Sequence, residues 1–344
     1  MKLLRQGETV RDTYTIVRHL GSGAFGDVYL ARHRYMGLQA MKVFPIEDGA
    51  DVLEEAYLLT KLSHPNIVRM FEANDFLCGN NRLGYFTMEY IEGGTLSEYL
   101  ETQVPALAER ITLAHDILAG LSVAHSQVPP VIHRDISPSN VLVDQSQQRA
   151  LAKISDFGMA KHVNPESLIA SAAGKYLYMA PESFLGTHST ATDIYAVAIV
   201  VFEMLTGVHP FDIRVSSDAD AKEIARIVCT SRSQSVPAGS ECNPEIPPEW
   251  DAVLRAALAH DAECRPQTAQ EFLSCLSTPQ VRSDDVPELS GEAMELVREA
   301  ERMAEQVSSL DQAISLLERA SAMDNGVATR YADRLSLWKS GIVL

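Results

Sequence analysis

The feature that most constrains this chain is a change of periodicity near residue 93. Before it, β-branched and aromatic residues interrupted by glycines read as strands from Tyr14 to about Phe44, and strand-like runs return at 67–71 and 85–90. Between them, residues 51–62 carry apolar side chains at helical spacing (Val52, Ala56, Leu59), and His64-Pro65-Asn66 closes that helix. After Glu92-Gly93-Gly94 the pattern is helical to Leu276, interrupted mainly around 133–158. Strands followed by helices predict an α+β fold of two lobes, a small β-rich lobe over 14–91 and a large α-rich lobe over 92–276.

Residues 1–13 form a short N-terminal segment outside this pattern. The polar stretch 277–288, with Pro279, Pro287 and Asp284-Asp285, reads as a linker. Residues 289–344 are then a helical extension: Leu289, Ala293, Leu296, Ala300, Met303 and Val307 alternate by four and three, and Ser309-Leu310-Asp311-Gln312 has the form of a capping box. A formal net charge of −17 argues against nucleic acid or an anionic membrane as the partner. The five cysteines show no metal spacing and read as reduced thiols, mostly packed as small apolar groups. The first residues lack the apolar core of a signal peptide, and Ala196 to Val201 is too short to span a bilayer and reads as a buried helix interior. A cytoplasmic protein is expected.

Chemistry concentrates in His133-Arg134-Asp135-Ile136-Ser137-Pro138-Ser139-Asn140 and Asp156-Phe157-Gly158. Two acids and an amide oxygen within about twenty residues suit proton acceptance and the holding of a hard cation beside a phosphate. Gly21-Ser22-Gly23-Ala24-Phe25-Gly26-Asp27-Val28 is a glycine-rich turn whose backbone can approach an anion. It runs into the strand-like Val28-Tyr29-Leu30-Ala31, whereas a dinucleotide-binding turn opens into a helix. Lys42 lies inside the apolar strand Ala40-Met41-Lys42-Val43.

Together these residues resemble the protein kinase family, whose motifs they match in order over about 14–276. The resemblance implies transfer of the γ-phosphoryl group of ATP, with magnesium, to a hydroxyl of a protein substrate. It implies that Asp135 takes the hydroxyl proton, that Asn140 and Asp156 hold the metal, and that Lys42, paired with Glu55 rather than its neighbour Glu54, holds the α- and β-phosphates. Gly21, Ser22, Gly23, Ala24, Phe25 and Gly26 would cradle phosphate. Val28, Ala40 and Leu142 would enclose the adenine, which is compatible with their being ordinary core. Met88 would limit pocket depth, and the main chain of Glu89 and Ile91 would meet the adenine edge. Leu59 would pack against Phe157. Ala180-Pro181-Glu182 matches the segment that seats a peptide, with Glu182 paired to Arg265 and Asp193 bracing the catalytic loop. A binding-only pseudokinase is the alternative, but such relatives lack at least one of the five polar groups present here.

The sequence departs from the pattern at two positions. Ser137 stands where serine/threonine kinases carry a lysine, and Gly174-Lys175-Tyr176-Leu177-Tyr178 has a lysine where they carry a threonine. An exchange would let Lys175 reach Asp135 and the γ-phosphate while Ser137 supplies the hydroxyl; otherwise Lys175 points to solvent. Serine/threonine specificity is favoured by Pro138, with tyrosine or dual specificity as the alternative. Arg134 implies an activation loop ordered by phosphate, on Ser171 or on Ser167, with Lys161 nearby. The tail over Gly291 to Asp324 resembles one tetratricopeptide-like unit, which would dock on the kinase lobe, bind a partner or simply cap the domain.

Overall fold

The computed structural model describes residues 2–23, 26–46, 59–146, 148–157, 175–216, 219–276, 291–304 and 310–323, with Val327, Tyr331, Leu335, Trp338 and Lys339. The chain divides into two compact units, Met1–Leu276 and Ser277–Leu344.

The first unit opens with six antiparallel strands: β1 (Thr9–Val10), β2 (Tyr14–Gly23), β3 (Gly26–His33), β4 (Gly37–Pro45), β5 (Met70–Cys78) and β6 (Asn81–Glu89), in spatial order β1-β2-β3-β4-β6-β5. The strand-like reading of 67–71 is corrected in register. Ile67 makes only an isolated bridge to Ile154, and the paired strand begins at Met70. The expected helix over 51–62 lies outside the described residues except at its end, where the Leu62 N–H donates to the Leu59 carbonyl at 3.0 Å.

Alternation divides the sheet into two faces. Gly21, Val28, Lys42 and Phe86 stand opposite one another on successive strands, as do Ser22, Asp27, Val43 and Tyr85 in the next row. The first row faces the main core. The second faces a separate cluster of Leu4, Val10, Tyr14, Ile16, Tyr29, Met41, Val43, Leu83 and Tyr85. Residues 2–10 therefore belong to the β-rich part, although the sequence sets 1–13 apart: Leu4 is 2% exposed, and Gly7 N donates to Ile16 O at 2.8 Å.

Helices then dominate, beginning with α1 (Leu96–Thr102) and α2 (Leu107–His125). The short hairpin β7 (Val141–Asp144) and β8 (Leu151–Ile154) follows, then α3 (Thr190–Thr206), α4 (Ala221–Arg232), α5 (Gly239–Cys242), α6 (Trp250–Ala257) and α7 (Ala269–Leu276). α3 is the hub, buried almost throughout from Thr192 to Leu205. Its apolar content thus reflects enclosure by protein, and no described helix is long and apolar enough to cross a membrane. The sheet joins this helical part through 89–95, where a Cβ on Gly93 would come within 1.8 Å of the Val143 carbonyl. Only glycine allows that approach. The cysteines depart from expectation: Cys242, Cys264 and Cys275 are exposed and Cys78 and Cys229 half-buried.

The second unit contains α8 (Gly291–Ala304) and α9 (Leu310–Met323). Ala293, Val297 and Ala300 are buried with Ala313, Leu317 and Ala320, alongside Val327 and Trp338. Val297, with Ala293 and Ala300, supplies the enclosed positions of the first helix, whereas Leu296 is only partly buried.

Candidate active site

Asp193 on α3 fixes the backbone of the loop that carries Asp135. Its carboxylate is 1% exposed and accepts from His133 N at 2.7 Å, from Arg134 N at 2.9 Å and lies 2.9 Å from His125 Nε2. Arg134 adopts φ +70°, a left-handed conformation that a non-glycine residue holds only when its surroundings enforce it. The buried His133 ring continues the frame. Nδ1 accepts from Asp135 N at 3.2 Å, so Nε2 is the donor to Ser155 O at 2.7 Å, and the ring meets Phe157 edge-on at 4.7 Å.

Asn140 sits at the end of the 3-10 turn Pro138–Asn140 and closes the loop upon itself. Its Nδ2 donates to the main-chain carbonyl of Asp135 at 2.6 Å and to Asp135 Oδ2 at 2.8 Å. Because the amide nitrogen faces Asp135, the oxygen is the atom available to a cation. The carbonyl of Asn140 accepts from Ser155 N at 2.9 Å and from Ser155 Oγ at 3.0 Å, which ties the loop to the strand end before Asp156. Asp156, at φ +59°, shares the left-handed conformation of Arg134, and its Oδ1 receives Lys42 Nζ at 2.9 Å across 114 positions of sequence. Lys42, Asp135, Asn140 and Asp156 thus converge on one cleft between the sheet and the helices.

Among the described residues no three His, Cys, Asp or Glu side chains gather around one point. Asn140 and Asp156 nonetheless offer the two hard oxygen donors that magnesium needs when phosphate and water complete its shell. Val28 and Leu142 pack against the core that contains Ala40, Met88 and Ile91, and Leu20, which the sequence did not single out, joins them. Leu59 and Phe157 line the same small cavity, with Leu62, Met70, Phe86 and Met88. The N–H of Glu89 donates to Arg69 O at 2.9 Å, so an adenine contact from that residue must use its carbonyl. Its side chain is held by the buried Lys153 Nζ at 2.8 and 2.9 Å, a contact unsuspected from sequence because a lone lysine in a short strand reads as solvent-facing.

Gly21, Ser22, Gly23 and Gly26 form the facing ends of β2 and β3, while Ala24 and Phe25 lie outside the described residues. The Ser22 hydroxyl donates to Asp27 Oδ1 at 2.6 Å on the outer face. Glu55, Gly158, Lys161, Ser167, Ser171 and Gly174 also lie outside, as does the expected reach of Lys175. Ser137 is 2% exposed and its hydroxyl bonds Ser139 Oγ at 2.9 Å; no bond from it to Asp135 is among the described contacts. Beyond the 3-10 turn Lys175–Tyr178, Arg265 donates to both oxygens of Glu182 at 2.6 and 3.0 Å. Tyr178 OH donates to Glu203 at 2.7 Å, and burial together with that carboxylate pushes its hydroxyl well above the usual tyrosine range. Two further side chains unsuspected from sequence, His209 (3.1 Å) and Arg232, reach the Leu177 carbonyl in the same turn.

The protein kinase domain family matches residues 14–278. The chain belongs to the protein kinase family. Among relatives of this kinase domain, a probable serine/threonine-protein kinase PknB of Lactococcus lactis is 32% identical over 288 residues, covering 80% of this chain and 43% of the relative. Serine/threonine-protein kinase PrkC of Bacillus subtilis is 29% identical, with 79% and 41% covered, and PknB of Mycolicibacterium smegmatis is 30% identical, with 76% and 42% covered. The chain spans less than half the length of these relatives.

Proposed function

We propose that this chain is an ATP-dependent protein kinase that phosphorylates serine or threonine. The observation that carries the reading is the bond between Asn140 Nδ2 and Asp135 Oδ2, which sets the orientation of a carboxylate beside a second acid already paired to Lys42. Asp135 accepts the proton of the attacking hydroxyl, and the rigid loop holds that oxygen in line with the phosphorus. Lys42 orients the phosphates from the sheet side. Magnesium, held by Asn140 and Asp156, would neutralise charge on the phosphates when bound. Val28, Ala40, Met88 and Leu142 surround the base, with the carbonyl of Glu89 and the main chain of Ile91 at its edge.

The names of the relatives support serine/threonine as acceptor. Pro138 and the peptide-seating segment around Glu182 agree with it. The tail is read as one tetratricopeptide-like unit that binds a partner, docks or simply caps the domain, and the location as cytoplasmic. Purified protein incubated with ATP and magnesium should phosphorylate itself, with phosphate on serine or threonine by mass spectrometry. Asp135→Asn should lower the rate on the order of 10²- to 10⁴-fold, the usual contribution of a positioned base. Equal rates for wild type and variant would overturn the assignment.

A further inference from the structure

Asp27 lies just past the glycine-rich turn, on the sheet face turned away from Lys42. It is 7% exposed, yet no lysine or arginine is described beside it. Neutral donors surround it instead. Oδ2 accepts from Leu3 N at 2.9 Å and from Tyr29 OH at 3.1 Å, while Oδ1 accepts from Ser22 Oγ at 2.6 Å. His19 Nε2 stands 3.6 Å from Oδ1 and 3.2 Å from Ser22 Oγ. Tyr29 OH in turn accepts from Leu4 N at 2.9 Å, so a continuous chain of donors runs from the backbone of residues 3 and 4 to a hydroxyl inside the phosphate-facing turn. Burial opposes ionisation of Asp27, but the hydrogen bonds from Ser22, Leu3, Tyr29 and His19 outweigh it and hold the carboxyl below the usual carboxylate range.

The N-terminal segment is seated by more than these bonds. Leu4 is 2% exposed in the outer cluster, Arg5 N donates to Glu8 Oε2 at 2.9 Å, and Glu8 O accepts from Ile16 N at 2.9 Å. This segment precedes the residues matched by the family. A carboxylate that accepts from the Leu3 backbone N–H and from the Ser22 hydroxyl transmits displacement of one segment to the other, because losing either donor leaves a buried charge under-satisfied.

We infer that Asp27 is a positioning residue that couples residues 3–8 to the backbone of Gly21, Ser22 and Gly23, so that seating of the N-terminal segment sets nucleotide affinity. The inference rests on the kinase reading, since it takes the glycine-rich turn to face nucleotide phosphates. When Leu4 is in place, Asp27 is fully donated to and Ser22 is fixed. When Leu4 leaves, Asp27 loses the Leu3 N donor, Tyr29 OH loses the Leu4 N–H that orients it, and the turn is released from its phosphate-facing geometry. Any ligand or partner that competes for residues 3–8 would thereby weaken nucleotide binding without touching the cleft.

The test is a double-mutant cycle on the full chain, with a fluorescent ADP analogue plus magnesium titrated into wild type, Leu4→Ala, Asp27→Asn and the double variant. Each single change should weaken binding about three- to tenfold, and the double should be no weaker than the worse single. In steady state, KM for ATP should rise in both while KM for a protein substrate stays within twofold. Hydrogen exchange at residues 3–8 should increase in Asp27→Asn, which also verifies that the variant is otherwise folded. Wild-type binding with unchanged affinity in Asp27→Asn, or independent effects that multiply in the double, overturns the coupling alone. Absence of nucleotide binding by the wild type overturns the kinase reading and the coupling with it.

Discussion

At Arg134 the backbone turns through φ +70°, and the N–H groups on either side of that turn's start both point at Asp193. A carboxylate suits the position because each oxygen accepts and neither donates. Asp193→Asn keeps the shape but sets an NH2 group against His133 N–H or Arg134 N–H. An unsatisfied buried donor costs about 1–3 kcal/mol, enough to let the strained residue relax. Phosphoryl transfer should fall at least about tenfold, with a Tm several degrees lower; an unchanged kcat would remove Asp193 from this role. Gly26 is constrained differently. Its φ is +143°, and an added Cβ would lie 2.2 Å from the Val43 carbonyl, so backbone rather than a movable side chain stands in the way. Gly26→Ala should cost roughly 2 kcal/mol or more and weaken nucleotide binding, read by thermal unfolding and by the same titration.

Between elements, the Glu182–Arg265 pair joins the segment Pro181–Leu185 to the last third of the domain. The Arg265 side chain is fully enclosed and also donates to the carbonyls of Ala259, Ala191 and His260, while its plane lies 4.6 Å from the Tyr195 ring. Removing one partner strands a buried charge, so Glu182→Gln should destabilise by about 3–5 kcal/mol, seen as a lower urea midpoint. Burial opposes ionisation of Glu182, but Arg265 outweighs it and holds the carboxyl below the usual glutamate range. The folded state therefore keeps this charge to lower pH than the unfolded chain does. Its contribution is complete above the unfolded glutamate value, about 4.3, and is lost as pH falls through the lower folded value. Between pH 6 and 3 the variant should lose stability less steeply than wild type. Some slope must remain, because the carboxyls of Asp27 and Glu72 are shifted in the same direction. Parallel slopes would show that Glu182 titrates normally. This pair was legible in the sequence through the resemblance of Ala180-Pro181-Glu182 and Cys264-Arg265-Pro266 to family motifs, as was the loop of Asp135, Asn140 and Asp156 through its own motifs. The brace from Leu3 and Leu4 to Asp27 was not, since two leucines before a strand carry no periodicity and their role depends on the chain folding back over the sheet. Lys153 and Arg232 escaped for a related reason: burial of a cation is decided by what packs around it, not by its neighbours in sequence.

Among the described residues, the main core of the first unit and the core of the second differ greatly in size. The first unit encloses Trp250, 1% exposed, among the large aliphatic and aromatic side chains around α3. The second encloses Trp338, 4% exposed, in a cluster whose other fully buried members are alanines, valines and one leucine. Since apolar area sets most of the favourable term, an alanine-rich core of this kind should give the tail the lower stability. Lys42, Asp135, Asn140 and Asp156 all lie in Met1–Leu276, so unfolding the tail should leave phosphoryl transfer intact. The chain has two tryptophans, one in each core, which makes the two units separately visible. In Trp338→Phe, urea-induced fluorescence change reports the first unit; in Trp250→Phe it reports the second. The tail transition should come at lower urea and with a shallower slope, because less surface is exposed when it unfolds. Kinase activity measured along the wild-type titration should follow the Trp250 curve. Coincident midpoints for both tryptophans would mean that the tail and the domain unfold as one cooperative body, and the tail would then have to be counted as part of the catalytic fold.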